Sequence, residues 1–140
     1  MSKVGETFFT SVGCMDGRVH KPVVDFGRKV FSAHFADTIT EAGLAGLLTK
    51  EFIDVSLLKS LKKKIFVSLE KHHSKGIIVH GHQECAGNPV EDDIHKEDIK
   101  RTVEVVKLLV DSSVPVVGIF VKRAAKSDNG AWEVEEISQN

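Results

Sequence analysis

Two nearly continuous apolar runs constrain the fold of this 140-residue chain more than any other feature. They extend from Ile77 to His82 (IIVHGH) and from Val114 to Val121 (VPVVGIFV). Short runs of this kind are typical of strands that helices cover on both faces, as in parallel sheets. Two further runs, Val4 to Gly13 (VGETFFTSVG) and Lys29 to Phe35 (KVFSAHF), are predicted to be strands of the same sheet.

Segments with helical periodicity separate these runs. Between Asp54 and His73 the apolar residues recur at steps of three and four, and Lys62 to Lys64 fall on the opposite side. The lysines are therefore predicted to form a solvated helix face rather than a nucleic-acid patch. A second helix is predicted from Ile94 to Val110, with Asp92 and Asp93 placed to cap its start and to meet its dipole.

The C-terminal segment from Ala131 to Ile137 alternates apolar and acidic residues, which is typical of an edge strand after an Asn129-Gly130 turn. Together these elements predict an α/β fold. Its sheet has four mostly parallel strands, helices on its flanks and a C-terminal antiparallel edge strand. The length is that of a single domain, and we expect one domain over residues 1–140.

Charge and hydropathy exclude several classes of function. Nineteen lysines and arginines balance twenty aspartates and glutamates, so no strong field attracts nucleic acid or an anionic membrane. No apolar run approaches the roughly 20 residues that a membrane helix needs. The first residues do not resemble an apolar signal segment, and a cytoplasmic protein with reduced thiols is therefore expected.

The two cysteines each lie just after a predicted strand, in Cys14-Met15-Asp16-Gly17-Arg18 and in His82-Gln83-Glu84-Cys85. Two thiolates and one imidazole supply three of the four ligands of a tetrahedral Zn²⁺, and Asp16 or a water would supply the fourth. Two unrelated core cysteines are the simpler alternative. A disulfide is a further alternative, but it would leave His82, Asp16 and Arg18 without a role.

The predicted topology indicates how the two segments would meet. Ligands of open α/β sheets bind beyond the carboxyl ends of the strands. If the strand before Cys14 and the strand that ends at His82 are adjacent and parallel, then Cys14, His82 and Cys85 converge at one end of the sheet.

These motifs resemble those of the β-class carbonic anhydrases, of which the chain would be a short, divergent member. The likeness rests on Cys-x-Asp-x-Arg after the first strand and on Gly-His-x-x-Cys-x-Gly, here residues 81–87, after a later one. The resemblance implies a parallel core with a fifth antiparallel strand and a zinc ion held by Cys14, His82 and Cys85. It also implies a homodimer or higher homo-oligomer with the site near the subunit interface.

The resemblance further implies that Asp16 and Arg18 form a catalytic dyad beside the metal. Zinc lowers the pKa of its bound water to about 7 and so provides hydroxide at neutral pH. Asp16 would accept a hydrogen bond from that hydroxide, and Arg18 would hold Asp16 in a bidentate pair. If the pair broke, Asp16 would bind zinc as the fourth ligand, a closed state known in the family.

Two departures from the family pattern bear on activity. The family's Arg-Asn-Ala-Gly stretch after the second strand is not recognisable, because His34 to Thr38 and later Glu41-Ala42-Gly43 stand there. His80 occupies a position that is usually apolar, on the same strand face as His82. It could be a partner of a metal ligand, a proton shuttle or simply a packed polar residue.

Three functions follow as hypotheses. The first is a carbonate dehydratase, a zinc lyase that reversibly hydrates CO₂ to bicarbonate through zinc-bound hydroxide. The second is a zinc hydrolase acting on carbonyl sulfide or carbon disulfide by the same route. The third is a non-catalytic zinc-binding module with Asp16 as fourth ligand. We favour the first because Arg18 is present to compete for Asp16.

Overall fold

A computed structural model describes residues 5–125 and 130–139. The chain alternates strands and helices in the described ranges. In chain order they are β1 (Phe8–Gly13), α1 (His20–Phe31), β2 (Phe35–Thr40), α2 (Leu44–Leu47), α3 (Val55–Lys71), β3 (Ile77–His82), α4 (Asp92–Leu109), β4 (Val116–Arg123) and β5 (Trp132–Ile137).

The strands form one five-stranded sheet in the order β2-β1-β3-β4-β5. The first four strands pair in parallel, and β5 runs antiparallel to β4 at the edge. The predicted α/β fold class, with its C-terminal antiparallel edge strand, is confirmed. β1 and β3 are neighbours, with Gly13 opposite His80, so the segments that follow these two strands emerge side by side.

Each face of the sheet carries its own apolar core. On one face α2, α3 and α4 pack over side chains such as Val12, Val79 and Phe120. On the other face α1 packs over Phe9 and Ile78. All six residues of β3 are buried, which is the environment that its continuous apolar run predicts for a central parallel strand.

The prediction of a strand from Lys29 to Phe35 is wrong. Residues 29–31 are the last turn of α1, and the second strand begins only at Phe35. Ser32 ends the helix with a left-handed backbone, φ 50°. The β-branched and aromatic residues of this segment favoured a strand, but packing of α1 on the sheet determines the structure instead.

The helix α1 has a glycine in its middle, which weakens the helical signal of the sequence. Gly27 is buried, and a Cβ atom built on it would lie 2.2 Å from the ring of Phe9. The missing side chain therefore allows α1 to approach β1 closely. This close contact is a tertiary feature that local periodicity does not report.

The two long helices agree with the sequence. The side chain of Asp54 caps α3 by accepting a hydrogen bond from the backbone N–H of Leu57 at 3.1 Å, and Lys62 to Lys64 are exposed as predicted. The helix α4 begins two residues earlier than expected, with Asp92 and Asp93 in its first turn and Glu91 as its N-cap.

Parts of two predicted elements, the first strand and the last turn, fall outside the ranges that the structure describes. Val4 and the Asn129 half of the predicted Asn129-Gly130 turn lie outside the described residues. Within the described ranges, none of the helices combines the length and apolar character that crossing a lipid bilayer requires.

Candidate metal centre

The sheet brings the two cysteines and His82 together at the carboxyl ends of β1 and β3. Cys14 directly follows Gly13, the last residue of β1, and His82 is the last residue of β3. Cys85 lies three residues further on, in the loop after β3. All three side chains are buried, and one donor atom from each lies within 4.8 Å of the others. The convergence that parallel, adjacent strands predict is therefore present.

The two cysteines are free thiols in contact with each other. Their Sγ atoms are 3.8 Å apart, nearly twice the length of about 2.05 Å expected for a disulfide bond. Two sulfurs bound to one tetrahedral metal ion at about 2.3 Å would be separated by about 3.8 Å. The spacing of the thiols fits joint binding of one ion.

The two nitrogen atoms of the His82 imidazole have different surroundings. Its Nδ1 lies 2.7 Å from the carbonyl oxygen of Gln83, which can only accept, so Nδ1 carries the proton and donates it. Its Nε2 is buried and has no hydrogen-bond partner among the described residues. Buried nitrogen atoms are rarely left unpaired. A lone pair fixed in this way is the usual state of a metal-binding histidine.

Electrostatics favour one thiolate in this cluster. Burial raises the pKa of Cys14, but the adjacent His82 imidazole and the backbone N–H groups of Gly43 and Asp16 bring it down to about 6. Burial and the negative charge of Cys14 raise the pKa of Cys85. A cation between the sulfurs would stabilise both thiolates, because metal binding requires deprotonated cysteines.

A glycine turn after β2 completes the pocket around Cys14. The backbone N–H of Gly43 donates to Cys14 Sγ at 3.5 Å, and Gly43 has a left-handed backbone, φ 63°. A Cβ atom on Gly43 would lie 2.3 Å from the carbonyl oxygen of Gly87 in the loop after β3. Only glycine permits this contact between the two loops.

The family's stretch after the second strand was not recognisable from the sequence, but the structure shows a glycine turn there. Because β2 ends at Thr40 rather than at Phe35, Glu41-Ala42-Gly43 follows it directly. The misplaced strand concealed the turn, and the arginine of the family's stretch is absent from these positions. The Ala-Gly pair after the correct strand is the signal that would have identified it.

Asp16 and Arg18 form a bidentate pair beside the cluster. The Nη2 of Arg18 donates to Asp16 Oδ2 at 2.7 Å, and the Nε of Arg18 donates to Asp16 Oδ1 at 3.0 Å. Arg18 lowers the pKa of Asp16 to about 2, mainly through these hydrogen bonds. The Oδ2 of Asp16 is 3.9 Å from His82 Nε2, so an ionised carboxylate faces the unpaired nitrogen.

Three further residues surround Arg18 and were not identified from the sequence. Glu84 lies between His82 and Cys85, whereas Arg123 and Trp132 are register partners on β4 and β5. All three contact the guanidinium of Arg18 or one another. No local motif links them, because the β4–β5 register alone brings Trp132 to this end of the sheet.

A small cavity of about 40 Å³ adjoins Cys14 and Asp16 on the α1 side. His80 lines it, with a ring so close to Gly13 that a Cβ atom there would lie 2.4 Å away. Burial, assisted by the neighbouring His82, lowers the pKa of His80 to about 3, so this ring is neutral. A larger cavity of about 540 Å³ lies between β2 and α3 and is lined by neither cysteine.

Comparison with known proteins agrees with this arrangement. A family model described as "Putative carbonic anhydrase" matches residues 4–138. No curated protein matches the chain. Among solved structures, β-carbonic anhydrase isoform I of Trichomonas vaginalis is 20% identical with a TM-score of 0.54, covering 98% of this chain and 87% of that one.

Two other solved structures have the same fold. Carbonic anhydrase from Streptococcus mutans is 17% identical with a TM-score of 0.56, covering 92% of this chain and 81% of that one. A β-carbonic anhydrase of Sordaria macrospora, described as tetrameric, is 12% identical with a TM-score of 0.60, covering 96% and 82%. At these identities the structures show the fold alone. Because the family model spans nearly the whole chain, the chain belongs to this carbonic anhydrase family.

Proposed function

We propose that the chain is a carbonic anhydrase that reversibly hydrates CO₂ to bicarbonate and a proton, with zinc held by Cys14, His82 and Cys85. The observation that carries the proposal is the His82 Nε2, which finds no hydrogen-bond partner in the described part of the chain and is buried beside two thiols and an arginine-bound carboxylate. Two sulfur ligands and one imidazole suit zinc better than the oxygen-preferring Mg²⁺ or Ca²⁺.

When bound, zinc would act as a Lewis acid that lowers the pKa of a coordinated water to about 7. Cys14, His82 and Cys85 would supply three ligands and so would leave one position for that water, as is usual in catalytic rather than structural sites. The protein's own contribution is to hold the three donors, to orient the reacting water and to exclude bulk solvent.

Asp16 would orient the reacting water. With its pKa at about 2 it remains ionised at neutral pH and can only accept hydrogen bonds. Arg18 engages both carboxylate oxygens and so keeps Asp16 from turning towards the ligands. The adjoining cavity of about 40 Å³ admits a molecule of only a few atoms, which suits CO₂.

The closed, non-catalytic site is the second candidate. Asp16 Oδ2 lies 3.9 Å from His82 Nε2, which places the carboxylate close enough to become a fourth ligand after a small rotation. The bidentate contact with Arg18 argues for the open site. The same cavity would also admit carbonyl sulfide or carbon disulfide, the substrates of the related hydrolase.

The function is tested by stopped-flow CO₂ hydration between pH 6.5 and 9, with zinc measured in the same sample. We expect about one zinc ion per chain and turnover that is lost on chelation and restored by zinc. One zinc ion without CO₂ turnover would reject the hydratase. Hydrolysis of carbonyl sulfide in that sample would favour the related hydrolase, and inactivity towards both would favour the closed site.

We include a homo-oligomer in the proposal. The Sordaria macrospora relative is described as tetrameric. Phe35 on the edge strand β2 and Phe66 on α3 are 47% and 58% exposed, respectively. Exposed aromatic side chains are common at interfaces between protein chains. Light scattering coupled to size-exclusion chromatography should give a molar mass of two or more times 15.4 kDa. A monomer at micromolar concentration would contradict the proposed homo-oligomer.

A further inference from the structure

Glu84 occupies an unusual position between two of the cluster residues. It follows His82 by two residues and precedes Cys85, and its backbone is left-handed, with φ at 57°. A residue that is not glycine adopts this conformation at a cost, and such residues persist where other contacts fix them. The contacts of the Glu84 side chain therefore indicate which interactions maintain this backbone conformation.

The carboxylate of Glu84 binds two arginines. Arg123 donates to it as a fork, from Nε to Oε2 at 2.6 Å and from Nη2 to Oε1 at 3.0 Å. Arg18 donates from Nη1 to Oε1 at 3.4 Å, and from Nη2 to the backbone carbonyl of Glu84 at 3.2 Å. Glu84 thus connects Arg123 on β4 to the guanidinium that also binds Asp16.

Trp132 provides an aromatic surface for the same two arginines. The Cζ atoms of Arg18 and Arg123 lie 4.9 and 4.8 Å from the centre of a Trp132 ring. Arginine stacks well on tryptophan because its planar guanidinium is attracted to the ring face and is weakly hydrated. Trp132 also lies edge-on to His82, with ring centres 6.4 Å apart.

The carboxylates of Glu84 and Asp16 offset the charges of the two guanidinium groups that lie near Trp132. Removal of the Glu84 charge would leave Arg18 and Arg123 to repel each other beside Trp132. The ionisation of Arg123 agrees, since the hydrogen bonds that Arg123 donates to Glu84 raise its pKa, whereas the charge of Arg18 acts to lower it.

We propose that Glu84, Arg123 and Trp132 form a clamp that holds Arg18 in the orientation in which it binds Asp16. The side chain of Arg18 is 41% exposed, and an exposed ion pair with Asp16 alone would not order a long, flexible side chain. The clamp residues are positioning residues that act through Arg18. Their role in turnover rests on the proposed function, whereas their effect on Arg18 does not.

The test is the mobility of Arg18 in the zinc-loaded protein. Side-chain ¹⁵N relaxation of the Arg18 Nε–H group reports its order directly, and turnover is measured in the same samples. Glu84→Gln keeps the size of the side chain and removes its charge. We expect a clear fall in the Arg18 order parameter, unchanged zinc content and a loss in kcat/KM of about tenfold, because misplaced groups reduce rates by such factors.

Matched variants separate positioning from general damage. Glu135, like Glu84, forms ion pairs with two basic side chains, here Lys96 and Lys122. Glu135→Gln therefore removes a comparable carboxylate away from Arg18 and should leave Arg18 ordered. Arg123→Lys keeps the charge but loses the fork, so it should restore only part of the order lost in Arg123→Gln. Trp132→Phe, which retains an aromatic face, should keep more Arg18 order than Trp132→Leu.

The outcomes distinguish this proposal from the proposed function. Unchanged Arg18 order in Glu84→Gln and Arg123→Gln would overturn the clamp. Reduced order with unchanged turnover in an active enzyme would overturn its role in the reaction. If the parent protein binds zinc without hydrating CO₂, a fall in Arg18 order would still establish the clamp while the proposed function failed.

Discussion

At the scale of single residues, the candidate site combines groups that stabilise one another only as a set. The Sγ atoms of Cys14 and Cys85 are 3.8 Å apart, and the nearby His82 Nε2 has no hydrogen-bond partner within residues 5–125 and 130–139. The sequence predicted these three residues together with Asp16 and Arg18, because their spacing after two strands carries chemical meaning. It could not predict Glu84 as a contact of Arg18, since that contact depends on a left-handed backbone within the loop.

Cys85→Ser should remove most of the zinc, since a serine hydroxyl is a much poorer zinc ligand than a thiolate. Mutation of a residue that merely contacts a metal ligand lowers metal affinity by about 10–100-fold. Loss of a ligand itself should lower zinc affinity by more than this. Elemental analysis after dialysis against a weak chelator measures the zinc content. Met15→Leu is the control, because Met15 is exposed and follows Cys14 in the sequence. One full equivalent of zinc in Cys85→Ser would refute the proposed ligand set.

Arg18→Ala should retain zinc and lose CO₂ turnover by about 100-fold or more, because Asp16 would lose the partner that orients it. Lys21→Ala is a suitable control, since Lys21 pairs with Asp25 on the exposed side of α1. Hydration rates per bound zinc ion provide the measurement. If Arg18→Ala turned over like the parent protein, the dyad would have no role.

His80 should make the folded state less stable in acid. Its folded pKa of about 3 lies below the model-peptide value of about 6.5, so the unfolded chain binds one more proton between these values. The effect of His80 on the free energy of unfolding is constant well above pH 6.5, and stability is lost as pH falls through 6.5 towards 3.

Denaturant titrations of the metal-free protein at pH 6.5 and 4.5 measure this dependence. Between the two pH values the free energy of unfolding of His80→Leu should fall by about 2.3 kcal/mol less than that of the parent protein, given 1.36 kcal/mol for each pKa unit and an unfolded imidazole that is half protonated at pH 6.5. The exposed substitution His34→Gln serves as control. An identical pH dependence in His80→Leu and the parent protein would mean that His80 is protonated in the fold.

At the scale of elements, the loops after β1, β2 and β3 form the candidate site. The sequence predicted an element correctly where the residues of that element determine its structure. The strand β3 was predicted with its observed bounds, because its apolar run is short, continuous and buried on both faces. The second strand was misplaced because α1 contains Gly27 and ends in β-branched and aromatic residues. Packing against Phe9, which local sequence does not encode, determines that helix.

Gly43→Ala should destabilise the protein and weaken metal binding. The left-handed backbone alone costs about 1–2 kcal/mol for a residue with a Cβ atom, and contact with Gly87 would add to this. Gly17→Ala in the neighbouring loop is the matched control, since a Cβ atom there would meet nothing within 4 Å. Chemical denaturation and zinc content measure both effects. Equal stability of the two variants would contradict the proposed role of this turn.

At the scale of the whole molecule, parallel pairing of β1 with β3 gives the site its position. The order β2-β1-β3-β4-β5 places Cys14 and His82 on adjacent strand ends and adds β5 with Trp132 beside them. The fold class and the convergence of Cys14, His82 and Cys85 could be predicted, because topology rules for parallel sheets are few. The clamp could not, since it depends on the register of β4 and β5, which is a long-range property.

Zinc K-edge X-ray absorption on the purified protein tests the central claim most directly, because it counts the ligands of the bound ion. We expect two sulfur atoms at about 2.3 Å and two nitrogen or oxygen atoms at about 2.0–2.1 Å. In Cys14→Ser one sulfur should disappear from any ion that remains, and in Arg18→Ala both sulfurs should persist. A spectrum without sulfur, or with a single sulfur, would contradict a metal centre built from Cys14, His82 and Cys85.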